Sequence, residues 1–199
     1  MTDHHVFLLK LHLNQVDTLE RAVAEVEARS GERLAPFRHA AELLRAIPGV
    51  SDTVARVLIT EIGVDMSRFP TAGHLISWAG LCPRMDESAG KRRSTRTRRS
   101  GWRLKTTLVQ AAWAAVRTRD SYLRAQFLRL KTRRGPRKAI LAVAASMLTA
   151  IYHMLLHDVP YKDLGSHYFD RRDKNRLALR LIRRLEDLGL RVEVTAPAA

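Results

Sequence analysis

Residues 139–156 read Ala-Ile-Leu-Ala-Val-Ala-Ala-Ser-Met-Leu-Thr-Ala-Ile-Tyr-His-Met-Leu-Leu, and this stretch decides the fold class. It is apolar nearly all round, which predicts a helix buried at the centre of a bundle. Ser146, Thr149 and His153 interrupt it, and it falls short of the roughly twenty apolar residues of a membrane span. Moving toward the C-terminus, Tyr161–Phe169 is an irregular aromatic stretch, with its tyrosines read as core and lid. A further amphipathic helix over about 173–188 sets Leu177, Leu181, Ile182, Leu185 and Leu188 against Arg176, Arg180, Arg183 and Arg184. Arg191–Thr195 is a candidate short strand.

Toward the N-terminus, Leu123, Phe127 and Leu130 mark a helix over about 121–132 that Gly135-Pro136 closes. Leu104, Leu108, Ala111, Ala112, Ala115 and Val116 share one face of the helix before it. Between 83 and 101 the apolar pattern is lost, and the stretch reads as a polar loop with two glycines. Phe69-Pro70 and Thr71 introduce a short helix carrying Leu75, Ile76 and Trp78. Helices over about 38–46 and 52–62 flank Ile47-Pro48-Gly49-Val50-Ser51; Ser51 or Asp52 caps the second and Gly63 ends it. At the start of the chain Leu9, Leu13, Val16, Val23 and Val26 recur at helical steps with Leu19 nearby, and Gly31 reads as the stop. That stripe is narrow, as in a coiled-coil seam, and suits either packing on its own domain or pairing with a second helix. The expectation is an all-α protein with at most one short strand pair: a coiled-coil-like helix over 1–35, then a domain over 36–199. That domain holds a helix-hairpin-helix at about 38–63, the basic loop 83–101 and a helical bundle over 102–190.

Charge divides the chain elsewhere, between residues 90 and 91. Residues 1–90 carry nine Lys and Arg against twelve Asp and Glu, a net of −3, whereas residues 91–199 carry twenty-six against eight, a net of +18. A polyanion is the natural partner of the second half. An anionic membrane surface fits less well, because 91–105 lacks the apolar face of an interfacial helix. The single cysteine, Cys82, rules out an internal disulfide and suits a reducing cytoplasm. It reads as a small buried apolar residue.

Two segments are candidate nucleic-acid contacts. In a helix-hairpin-helix the glycine, here Gly49 followed by Val50 and Ser51, lets backbone amides approach a phosphate, and the next helix N-terminus favours the anion. Its usual second glycine is replaced by Ser51, and an ordinary helical corner has the same pattern. The stretch Lys91-Arg92-Arg93-Ser94-Thr95-Arg96-Thr97-Arg98-Arg99-Ser100-Gly101-Trp102-Arg103-Leu104-Lys105 holds eight basic residues and no acidic one. Arginine forks suit phosphate oxygens, and interleaved hydroxyls add donors. Ser88, in Asp86-Glu87-Ser88-Ala89-Gly90, reads from composition as a turn serine; as a nucleophile it would need a base, Asp86 and Glu87 being the nearest. His153 and His157 lie one helical turn apart, but no glutamate follows the first as a metalloprotease helix requires, so no metal site is expected.

Together, Ile47-Pro48-Gly49-Val50, Phe69-Pro70, Trp78-Ala79-Gly80-Leu81-Cys82-Pro83 and Glu87-Ser88-Ala89-Gly90-Lys91-Arg92-Arg93 resemble one family. Ala111-Ala112-Trp113, Arg133-Arg134-Gly135, Tyr152-His153 and Pro160-Tyr161-Lys162-Asp163-Leu164-Gly165 extend the resemblance from about His4 to Val194. The family is that of the bridge-RNA-guided insertion-sequence transposases of the IS one-ten group. The resemblance implies a C-terminal transposase domain in which Ser88 attacks DNA and holds a covalent phosphoserine intermediate. It implies DNA and a guide RNA as partners, and a homo-oligomer formed through the 6–30 helix. It also implies magnesium, held only with an acidic N-terminal domain that precedes the coiled coil, so this chain alone is expected to bind no cofactor. Two departures stand out: the chain starts at the coiled coil, and Thr95 and Ser100-Gly101 stand where the family shows glycine and Gly-Asn. A DNA recombinase domain is the leading reading. A non-catalytic nucleic-acid-binding remnant and a plain dimerisation module are its rivals.

Overall fold

The structure is a computed structural model that describes residues 2–84, 86–94, 96–97 and 102–193, with the backbone alone for Asp86, Arg92, Trp102 and Arg176. It is all-α apart from one short strand pair, as the helical periodicity requires. The centre is α7 (Pro136–His157), the expected buried helix, which starts three residues earlier than the apolar run because Pro136 can occupy a first helical position. Ile140, Val143, Ala144, Met147, Leu148, Ile151 and Tyr152 are all buried. Length and composition alone would let α7 cross a membrane, but half of its most apolar stretch is packed inside the protein.

Against α7 lie α4 (Ala72–Trp78), α5 (Trp102–Ala115) and α6 (Tyr122–Arg134). Thr71 and Ser121 cap α4 and α6 by accepting from the amides of His74 and Arg124. On α5 the buried positions are Leu104, Leu108, Ala111, Ala112 and Ala115, and the small alanines let neighbouring backbone come close. α6 meets α5 through the Trp113 and Phe127 rings, in edge contact at 5.5 Å, and packs along α7, where Gln126 Nε2 donates to Ser146 Oγ at 2.8 Å. α2 (Arg38–Arg45) and α3 (Asp52–Ile62) form a helical pair packed on α5 and α7.

The periphery departs from the sequence reading in three places. α1 (Asp3–Leu34) runs straight through Gly31, because a helical glycine costs only about 1 kcal/mol and forbids nothing. The helix ends instead at a 3-10 turn over Ala35–Phe37 that contains Pro36. The aromatic stretch is not wholly irregular: it ends in α8 (Tyr168–Arg172), where Tyr122 stacks on Phe169 at 5.2 Å. After α9 (Lys174–Glu186), residues 191–193 form no strand, and 194–195 lie outside the described residues.

Candidate nucleic-acid interface

The segment read as a polar loop folds into a β-hairpin, β1 (Asp86–Ser88) against β2 (Lys91–Ser94). Strands this short and polar carry no apolar alternation, so sequence periodicity could not reveal them. The turn is the pair Ala89-Gly90, both left-handed at φ 51° and 72°, which is the conformation a tight two-residue hairpin demands. Ser88 pairs with Lys91 and Glu87 with Arg92, and a bulge falls between Asp86 and Glu87. Below the bulge the Arg84 amide donates to the Arg96 carbonyl at 2.8 Å, and Pro83 bridges to Thr97. Lys105 on α5 ties down this base by donating to Thr97 Oγ1 at 2.5 Å, and burial pushes its ammonium pKa below the ordinary value.

The hairpin brings Ser88 and Lys91 together at its tip, both exposed, in register across the two strands. Arg93 and Arg96 are exposed lower down, and Arg103 is exposed on the first turn of α5. Glu87 alternates to the face opposite Ser88, so it is poorly placed to take the serine proton. Arg98 and Arg99 lie outside the described residues, as does Thr95, and of Arg92 only the backbone pairing is described.

The helix-hairpin-helix residues sit elsewhere. Gly49 holds φ +82° and presses on the far end of α5: a β-carbon there would strike the Ala111 carbonyl oxygen and come within 2.6 Å of the Ala115 nitrogen. Close packing against α5 thus accounts for the glycine. Val50 is buried. Ser51 caps α3 by accepting from the Val54 amide at 3.3 Å. Beside it Asp52 pairs with Arg56 at 2.8 Å and Arg45 at 3.5 Å, so a carboxylate already occupies the first turn. Gly49 meets α5 at Ala111 and Ala115, nine to thirteen residues beyond the start of that helix, whereas the hairpin base meets it at Lys105.

Among the described residues no group of three His, Cys, Asp or Glu side chains is placed to hold a metal ion. The His153 and His157 rings stack at 5.9 Å without a third ligand. The magnesium implied by the family resemblance therefore has no set of holders among these residues.

Both candidate contacts lie between the middle of α2 and the middle of α6, and that region has known counterparts. Residues 41–128 match the model of the transposase IS116/IS110/IS902 family. The match takes in Gly49, Ser88 and every basic residue from Lys91 to Lys105. The chain is 32% identical over 115 residues to the insertion element IS110 uncharacterized 43.6 kDa protein of Streptomyces coelicolor, covering 57% of this chain and 28% of that protein. It is 29% identical over 151 residues to the insertion element IS900 uncharacterized 42 kDa protein of Mycobacterium paratuberculosis, covering 74% of this chain and 37% of that protein. It thus spans about a third of the length of these relatives.

Proposed function

We propose that this chain is the serine-bearing DNA-recombination part of an insertion-sequence transposase, with Ser88 as nucleophile and the basic hairpin as its phosphate cradle. One observation carries the reading: within the stretch that matches a transposase family, a tight turn exposes a serine in register with Lys91. In the proposed step Ser88 Oγ bonds to phosphorus as the bond to a deoxyribose oxygen breaks. The leaving oxygen takes up the proton that the hydroxyl gives up. Lys91, Arg93, Arg96 and Arg103, with Arg92, Arg98 and Arg99 of the same run, offset the charge that builds on the phosphoryl oxygens. A hydroxyl is a weak nucleophile at neutral pH, and Glu87 faces away, so activation has to come from groups other than its neighbour in sequence. For that reason little strand transfer is expected of these residues unaided. Gly49, Val50 and Ser51 are at most an outlying contact with the duplex, since Val50 is buried and Gly49 is held by packing against α5. A guide RNA as second nucleic-acid partner, and a homo-oligomer through α1, complete the proposal.

The deciding experiment is a covalent-adduct assay on denaturing gels, with nicked duplex substrates, a full-length relative's acidic segment and its guide RNA supplied together. Ser88→Ala should remove the adduct and leave DNA affinity within about twofold. An adduct that survives Ser88→Ala but vanishes in Ser94→Ala or Ser100→Ala would move the nucleophile. The rival reading is a non-catalytic DNA-binding chain. No adduct under any complementation, with DNA binding intact, would favour it.

A further inference from the structure

We infer that the corner between α6 and α7 is a second surface for the phosphate backbone of duplex DNA, separate from the β-hairpin and outside the family match at 41–128. The inference rests on the nucleic-acid reading above but on none of its residues. Five cations, Lys131, Arg133, Arg134, Arg137 and Lys138, crowd eight positions around Gly135, and all five are exposed. No acidic residue occurs from 121 to 157. The flanking Asp120 and Asp158 sit at the opposite ends of the two helices, and Asp158 is held by His39 at 2.7 Å. Among the described residues none of the five cations forms an ion pair.

Local structure explains only part of this crowding. Lys131, Arg133 and Arg134 lie in the last turn of α6, where the helix dipole favours positive charge. Arg137 and Lys138 lie in the first turn of α7, the positive end of a 22-residue helix with no acidic residue to offset them. There the dipole opposes each cation, and the neighbouring guanidinium groups of α6 add to the repulsion. A cluster placed against its own electrostatics is relieved by an external polyanion. Two separate sets of backbone contacts, one at the hairpin and one at the corner, would fix the register of a duplex without reading its sequence.

The test uses the full 199-residue chain and a fluorescent duplex of about thirty base pairs, with affinity measured across a salt series. Three variants are compared: Arg133→Gln/Arg134→Gln/Arg137→Gln/Lys138→Gln, Lys91→Gln/Arg93→Gln/Arg96→Gln, and both sets combined. If two of the four corner side chains hold phosphates, the slope of log affinity against log salt should fall by about 1.8, with roughly thirtyfold loss of affinity at 0.15 M salt. An unchanged slope in the corner variant, with a loss in the hairpin variant, overturns this inference and leaves the proposed function standing. The reverse result keeps the corner and defeats the hairpin as the phosphate cradle. A loss seen with a structured RNA but not with duplex DNA overturns the commitment to DNA, and a wild-type chain that binds no duplex at low salt overturns both. Should the corner variant melt early, hydrogen exchange on the wild-type chain decides instead. Duplex DNA should protect amides over 131–138, and no protection there overturns the inference.

Discussion

At Gly49 a single hydrogen is all that fits between the α2–α3 turn and the backbone of α5 at Ala111 and Ala115. Gly49→Ala would place a β-carbon there at a positive φ, costing about 1–2 kcal/mol for the left-handed conformation and about 1–3 kcal/mol for overpacking. A fall in melting temperature of roughly 5–15 °C is expected, followed by circular dichroism. A fall under about 2 °C would show that the turn and α5 can separate freely. The sequence singled out this glycine from its setting in Ile47-Pro48-Gly49-Val50, and that much was legible. Its packing reason was not, because α5 lies some sixty positions away in the chain. Ala89 presents the opposite case: a left-handed residue with a side chain, exposed at a hairpin tip. Ala89→Asn suits the first position of such a turn and should stabilise the hairpin by about 1 kcal/mol. Slower amide exchange at Ser88 and Lys91 would show it, and faster exchange would contradict the turn geometry.

Elements were legible where apolar residues kept helical time and illegible where they did not. The core helices follow from Leu104–Val116, Leu123–Leu130 and Ala139–Leu156, all of which supply buried faces. The β-hairpin escaped because its strands are only three and four residues long and its side chains are polar. The stripe on α1 was legible, but its partner was not: no residue of α1 is buried, and Leu13, Leu19, Val23 and Val26 are each more than half exposed. Only Leu34, at the end of α1, packs against the core, so both readings of the stripe, packing on its own domain and pairing with a second helix, stay open. Leu19→Glu/Val23→Glu should weaken self-association at least tenfold in sedimentation equilibrium and leave the melting temperature of the bundle unchanged, since neither side chain belongs to the core. A stable monomer in the wild-type chain at micromolar concentration would rule out that pairing.

The whole molecule separates its two kinds of surface, and salt should separate their behaviour. α1 offers a long apolar stripe flanked by mixed charge, with Asp17, Glu20, Glu25, Glu27 and Glu32 interspersed with Arg21, Arg29 and Arg33. The positive surface comes later in the chain, in the hairpin and the α6–α7 corner. Association through α1, as proposed, would draw on apolar burial, which ordinary salt does not screen, whereas the proposed DNA binding would draw on displaced counterions. Raising salt from 50 to 200 mM should therefore cost DNA affinity about a thousandfold if some six phosphates are held, while the self-association constant moves by less than about threefold. Sedimentation and fluorescence anisotropy on the same samples measure both. Parallel weakening would mean that the copies are held together by charge pairs and not by the stripe. A DNA affinity indifferent to salt would mean that the +18 half of the chain faces something other than phosphate.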